Sequence, residues 1–154
     1  MIIPTAIKEI LVHNHWDEFN FQMMQDSYID KLRQSYSKFD YPLNESIISK
    51  IALFYNMKLE LNQSDILYFD AKKIKKYRPE AMQKVALKLG VNKVIYLADI
   101  HPGYLIVWLD EQEQVWADYD NLVYYYGNDI FSGIQNIVSG NILETIKSVS
   151  NDER

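Results

Sequence analysis

The sequence of 154 residues contains no cysteine, only five glycines and only four prolines. Without cysteine there is no disulfide, thiol nucleophile, iron–sulfur cluster or cysteine-ligated zinc, so nothing here requires an oxidising compartment. The low glycine and proline content argues against collagen-like and low-complexity chains, and a hydrophobic fraction of 48% argues against disorder. This length and composition predict one domain spanning residues 1–154, with residues 150–154 as a disordered tail.

Long hydrophobic runs are also missing. The longest apolar stretch, residues 104–109, is far shorter than the roughly 18 residues that a membrane span needs. The apolar N-terminal run is interrupted at Lys8, which is not typical of a signal peptide. We therefore expect a soluble cytoplasmic protein without a membrane partner.

Charge is distributed unevenly along the chain, whose net charge is −5. Residues 72–93 hold eight bases and one acid, whereas residues 94–154 hold ten acids and two bases. The basic segment is either a solvated helix with its approach loop or a nucleic-acid footprint. The acidic total opposes phosphate binding, so we expect no direct contact with nucleic acid. The acidic C-terminal half instead predicts a basic partner.

Hydrophobic periodicity predicts helices first, then a run of strands, then a helix. The helices are expected at residues 4–13, 27–36, 44–56, 79–89 and 129–139, with a final helical turn or two near residues 142–149. The strands are expected at residues 58–61, 66–69, 94–100, 104–109, 114–119 and 122–126. This order predicts a single α+β domain with a central antiparallel sheet of about five to six strands.

Two faces of the predicted sheet differ in chemistry. Pairing of Leu109 with Val115 across the intervening turn would place Trp108 opposite Trp116, since side chains alternate along each strand. One face is then nearly all aliphatic. The other face, which we call the aromatic face, collects Tyr68, Val94, Tyr96, Tyr104, Ile106, Trp108, Trp116 and Asp118. Tyrosine and tryptophan dominate binding hot spots. The aromatic face is thus either partly exposed for binding or covered by the N-terminal helices.

Catalytic and metal-binding motifs are weak. Asp99-x-His101 has the residue types of an acid–base pair, but no nucleophile can be assigned to it. Asp118-x-Asp120 begins like a calcium loop, yet the following ligand and the obligatory glycine are absent. The sequence therefore predicts no catalytic residue, no metal site and no cofactor, with a small hydrolase at Asp99 and His101 as a remote alternative.

The order and spacing of motifs between Ile10 and Gly140 resemble the SUKH superfamily of bacterial immunity proteins, and its third subgroup most. The matching segments are Asn14-His15-Trp16, Tyr41-Pro42-Leu43, Ile51 to Tyr55, Tyr68-Phe69-Asp70, Ala86 to Gly90, Ile95 to Asp99, Leu105 to Asp110, Val115-Trp116, Asp118-Tyr119-Asp120 and Tyr124 to Asn128. Two positions depart from the family pattern, because His15 and Glu113 stand where members usually have glycine. We expect the turn at Glu113 either to use a positive φ or to form a longer loop.

The resemblance implies a non-enzymatic immunity protein that binds and neutralises a cognate toxin, often a nuclease. Aromatic anchors and acidic side chains at the sheet edge are compatible with a basic toxin as partner. The expected partner-binding residues are Tyr104, Trp108, Asp110, Glu111, Glu113, Trp116, Asp118 and Asp120. The alternative is a scaffold or regulatory protein-binding module of the same fold.

Overall fold

The computed structural model describes residues 1–62, 64–101 and 105–147. The helices of these stretches are α1 (Thr5–His13), α2 (Glu18–Tyr36), α3 (Glu45–Leu53), α4 (Ala71–Ile74), α5 (Pro79–Leu89) and α6 (Ile130–Ser139). The strands are β1 (Lys58–Glu60), β2 (Ile66–Tyr68), β3 (Val94–His101), β4 (Leu105–Asp110), β5 (Val115–Tyr119), β6 (Leu122–Gly127) and β7 (Glu144–Lys147). The predicted α+β architecture is confirmed, with one strand more than expected. The tail at 150–154 lies outside the described residues.

Side-chain caps explain where several helices begin. The Asn44 side chain accepts a hydrogen bond from the Ile47 backbone N–H, which starts α3 as the sequence predicts. Asp17 caps α2 in the same way through the Asn20 N–H, so α2 begins at Glu18 and not near Ser27. The earlier start was missed because apolar residues in the first turns of α2, such as Phe19 and Met23, are exposed and obscure the helical period.

The seven strands follow one another across the sheet in chain order, and each pair is antiparallel. Leu109 pairs with Val115 and Trp108 with Trp116, which confirms the predicted register. The prediction of helical turns near residues 142–149 is wrong for residues 144–147. Gly140 ends α6 in the left-handed conformation, and the Leu143 N–H donates to the Tyr125 carbonyl, so the returning chain joins β6 as β7.

The aliphatic face of the sheet lies under α6 and the N-terminal helices. Gly133 of α6 sits directly on β5, where a Cβ atom would come within 2.4 Å of the Val115 side chain. Helices α1 and α3 contact α6, and α2 contacts α3. The Tyr36 hydroxyl of α2 donates to the Tyr96 carbonyl at 2.7 Å, which fixes α2 to β3. The main hydrophobic core therefore lies between these helices and the sheet.

Part of the aromatic face lies under the segment that runs from α4 to α5. The Tyr77 ring is centred 5.2 Å from that of Tyr96 and 5.5 Å from that of Trp108. The cover on Tyr96 and Trp108 thus comes from the basic segment. The alternative interpretation had assigned it to the N-terminal helices. Helix α4 was not predicted, because four residues are too few to show a period. None of the helices described is long and apolar enough to cross a membrane.

Candidate protein-binding surface

One row of side chains crosses five strands of the aromatic face: Tyr96, Trp108, Trp116, Tyr125 and Glu144. These residues are directly opposite one another in neighbouring strands, and such residues point to the same face. Exposure rises along the row: Tyr96 and Trp108 are buried, Trp116 and Tyr125 are half-buried, and Glu144 is exposed. The aromatic face therefore has a covered half on β3–β4 and an open half on β5–β7.

The open half carries five exposed or half-buried side chains on β5, β6 and β7, and Val123 is buried between two of them. We call this surface the open strand face; its members are Trp116, Asp118, Tyr125, Glu144 and Ile146. Asp118 and Ile146 belong because both lie opposite Val123, in the row beside the aromatic one. The surface combines two rings, two carboxylates and one exposed aliphatic side chain.

A bulge in β3 places a buried carboxylate in the covered half. Leu97 is the extra residue, since Tyr96 pairs with Trp108 while Ala98 pairs with Val107. Asp99 consequently shares the face of Tyr96, whose hydroxyl donates to it at 2.5 Å. The Lys73 ammonium lies 2.5 Å from the other carboxylate oxygen of Asp99. Burial raises the pKa of the Tyr96 phenol well above its ordinary value, and its bond to Asp99 raises it further.

Asp118 stands at the boundary between the two halves. It accepts a hydrogen bond from the Trp108 indole N–H at 2.6 Å and pairs with the Lys88 ammonium at 2.6 Å. Lys88 also donates to the Asp120 carbonyl. Asp118 thus joins α5 to the sheet, and Asp120 lies exposed in the next turn.

Asp110 organises the turn between β4 and β5. Its carboxylate accepts the backbone N–H groups of Gln112 and Gln114, and its second oxygen accepts the Trp116 indole N–H at 3.0 Å. Asp110 is fully buried, and these donors together with the Gln114 side chain supply hydrogen bonds to its carboxylate. The same turn holds Glu113 at φ 65°, which confirms the first of the two expected solutions. Asp110 therefore fixes the orientation of the Trp116 ring.

Glu111 and Glu113 tie this turn to other elements. Glu113 pairs with Lys50 of α3 at 2.8 Å and accepts the Ile130 N–H at the start of α6. Glu111 accepts the backbone N–H of Lys93 at 2.9 Å. Partial burial raises the pKa of Glu111, but its backbone hydrogen bonds outweigh burial, and the net pKa is lowered. Both carboxylates thus stabilise the fold.

The ring pair of the open strand face lies in a negative field. The Trp116 and Tyr125 ring centres are 4.8 Å apart, and the Tyr125 hydroxyl donates to the Gln114 side chain. Burial raises the pKa of Tyr125, and the charges of Asp110, Asp129 and Glu144 raise it further. Three carboxylates therefore act electrostatically on one half-buried phenol.

The predicted partner-binding residues differ in how far their side chains are buried. Trp116 and Asp118 belong to the open strand face, whereas Trp108 and Asp110 are buried and hold other residues in place, so we do not retain them as contacts. Tyr104 lies outside the described residues. Tyr125, Glu144 and Ile146 of the open strand face were not among the residues expected from the sequence. The alternation of residues 122–126 could have indicated Tyr125, but not the partner strand β7.

Asp99 and His101 differ in their surroundings. Both carboxylate oxygens of Asp99 are engaged by Lys73 and Tyr96, while His101 is exposed at the strand end. Over residues 1–62, 64–101 and 105–147, no cluster of three or more His, Asp or Glu side chains is positioned to hold a metal ion.

Comparison of the chain with protein-family models, curated proteins and solved structures found no match. The resemblance to the SUKH superfamily therefore depends on the sequence motifs alone.

Proposed function

We propose that this protein is a non-enzymatic immunity protein that binds and neutralises a cognate toxin in the bacterial cytoplasm. The order of SUKH-like motifs supports this function. The observation that carries the binding proposal is the half-exposed Trp116–Tyr125 ring pair, which lies among carboxylates at the uncovered side of the sheet. Trp116, Tyr125 and Glu144 are the proposed contacts, and Asp118 and Asp120 border them.

The rings suit an anchoring role because they are held in place before a partner arrives. Asp110 binds the Trp116 indole N–H, and the Tyr125 hydroxyl is bonded to Gln114. A side chain that is already ordered loses little rotamer freedom on binding, which favours affinity. Half-buried aromatic residues that become fully desolvated are typical binding hot spots.

The surrounding charge favours a basic partner such as a nuclease with a cationic cleft. The chain carries a net charge of −5, and Asp110, Asp129 and Glu144 act on the Tyr125 phenol. Complementary charge speeds association, and added salt weakens that effect. Occupation of the cleft by the open strand face would block access of the toxin to its substrate.

The test is protection of cells that express the toxin encoded by the adjacent gene. We expect the double variant Tyr125→Ala, Glu144→Lys to lose protection and to weaken the purified complex at least 100-fold, since it removes one anchor and reverses one charge. The matched control is Glu9→Lys, an exposed charge reversal on α1, which contacts α6 on the aliphatic side of the sheet. Glu9→Lys should protect like the unmodified chain.

A second variant, Trp116→Ala with Asp118→Lys, should also abolish protection. Because Asp118 holds Trp108 and Lys88, this variant also weakens the fold, so thermal unfolding must accompany the assay. Full protection by a folded Tyr125→Ala, Glu144→Lys protein would contradict the proposed surface. A housekeeping neighbourhood without a toxin gene would favour the scaffold or regulatory alternative.

A further inference from the structure

The two halves of the aromatic face differ in height as well as in exposure. Helix α5 contacts β3, and its Lys88 reaches Asp118 at the boundary between the halves. Trp116 and Tyr125, beyond that boundary, stay half-buried. An α-helix is about 10 Å across, so α5 stands above the open strand face by about that height. This side of the molecule therefore has a step, with α5 as its upper level and the open strand face as its lower level.

Helix α5 has a second, exposed face that points away from its own sheet. Its buried residues are Met82, Ala86 and Leu89. On the opposite side of the helix, Glu80, Lys84 and Leu87 follow one another at positions i, i+4 and i+7, and all three are exposed. Leu87 is 68% exposed, and Lys84 forms no ion pair within the described chain. The upper level thus offers an apolar side chain beside an unpaired positive charge.

Charge divides along the same step. The segment from α4 to α5 carries exposed bases that pair with no acid of the described chain: Lys72, Lys75, Lys76, Arg78 and Lys84. The lower level carries the exposed Glu144 and is bordered by the exposed Asp120. Two chains of net charge −5 repel each other overall, so the favoured orientation places the basic segment of each on the acids of the other.

One symmetry operation satisfies both the relief and the charge. We propose that a second copy of this chain docks on the open strand face and forms a symmetric dimer. A two-fold axis parallel to the step places the upper level of each copy over the lower level of the other. The same contact is then made twice, as in any isologous dimer. The two α5 helices lie side by side between the two sheets.

The spacing of side chains fits a specific contact in this dimer. Lys84 and Leu87 are three positions apart on α5, which makes their side chains neighbours at about 5–6 Å. Tyr125 and Glu144 are directly opposite in β6 and β7, where Cβ atoms lie about 5 Å apart. Leu87 of one copy therefore packs on the Tyr125 ring of the other, while Lys84 pairs with Glu144.

The dimer and the proposed toxin complex use the same surface. A second copy covers Trp116 and Tyr125, so a toxin must displace it. The dimer itself does not depend on the proposed function, and it is tested on the purified full-length chain without a toxin. Failure of the dimer therefore leaves the toxin proposal standing, and failure of protection leaves the dimer standing.

The experiment is sedimentation velocity of the full-length chain over a range of concentrations. We expect dimers to form below about 500 μM, which includes weak specific interfaces. Lys84→Glu and Glu144→Lys should each weaken dimerisation at least tenfold, because each places like charges together twice. The matched controls are Lys31→Glu on α2 and Glu9→Lys on α1, both exposed charge reversals. Both controls should dimerise like the unmodified chain.

Mixing the two single variants gives the sharpest test. A Lys84→Glu copy and a Glu144→Lys copy form one original and one reversed ion pair, so the equimolar mixture should dimerise again. Leu87→Ala should weaken dimerisation severalfold without loss of fold, since the side chain is largely exposed. A monomeric unmodified chain, a dimer insensitive to both charge reversals, or a mixture that stays monomeric would each overturn the proposal.

Discussion

Trp108 and Trp116 lie side by side in neighbouring strands, yet Trp108 is 2% exposed and Trp116 is half-buried. Residue type and sheet position do not explain the difference, since both are tryptophans of the aromatic face with a carboxylate on the indole N–H. The difference is that the Tyr77 ring packs on Trp108, while Lys88 of α5 contacts the sheet at Asp118. One face of a sheet can therefore contribute to the core on some strands and remain partly exposed on others.

Two ion pairs attach the basic segment to the aromatic face: Lys73 pairs with Asp99, and Lys88 pairs with Asp118. Lys93 pairs instead with Asp40, in the connection between α2 and α3. The remaining bases of the segment are exposed: Lys72, Lys75, Lys76, Arg78 and Lys84. Part of the charge asymmetry seen in the sequence thus attaches a basic segment to an acidic sheet.

The largest expected loss of stability comes from a substitution in the covered half. Trp108→Ala should lower the free energy of unfolding by about 3–5 kcal/mol, because a fully buried ring and its cavity are involved. Trp116→Ala should cost less than about half of that, since its ring is already partly in water. Urea unfolding followed by circular dichroism measures both. Equal losses would contradict the division into two halves.

The next largest loss of stability is expected when the ion pair between Lys88 and Asp118, at the boundary of the two halves, is removed. Lys88→Met should cost about 1–2 kcal/mol, because Asp118 keeps its charge in a largely buried position without the ammonium. Lys84→Met, on the exposed side of α5, is the control and should change stability by less than about 0.5 kcal/mol. Denaturant midpoints give the comparison, and equal shifts would rule out Lys88 as the link.

Alkaline pH should distinguish the halves through their tyrosines. Burial raises the folded-state pKa of Tyr36 and Tyr96 above the ordinary value of about 10. Their neutral forms therefore stabilise the fold below pH 10, and this stability is lost as the pH rises above 10 and the unfolded phenols ionise. Tyr125, half-buried, should ionise before Tyr96. Phenolate absorbance of Tyr125→Phe and Tyr96→Phe tests that order; the reverse order would contradict it.

The smallest expected effect on stability lies at the open end of the row. Glu144→Lys should change the unfolding free energy by less than about 0.5 kcal/mol, because the side chain is exposed on the last strand. Thermal unfolding measures this change. A large loss would mean that the open strand face supports the fold and is not mainly a binding surface.

Much of the fold was predictable because it depends on near neighbours. Asn44, Pro79 and Gly90 mark helix ends through local hydrogen bonds and backbone geometry, and the structure places α3 and α5 accordingly. The register of β4 and β5 follows from the turn at Asp110. Helix α4 was missed because its four residues are little more than one helical turn, and β7 was missed because all four of its residues are exposed and show no apolar alternation.

The candidate surface was less predictable. The bulge at Leu97 moves Asp99 to the face of Tyr96, and strict alternation cannot show this. Acidic residues near the β4–β5 turn were expected to meet a partner, but Asp110 and Glu113 bind groups of the chain itself.

The sequence by itself determined the order of the elements, the strand alternation and the aromatic character of one face, because these depend on residues a few positions apart. Only the tertiary structure decided which rings of that face are covered. That choice depends on contacts such as Lys88 with Asp118, which join residues thirty positions apart, and alternation within a strand carries no information about such contacts.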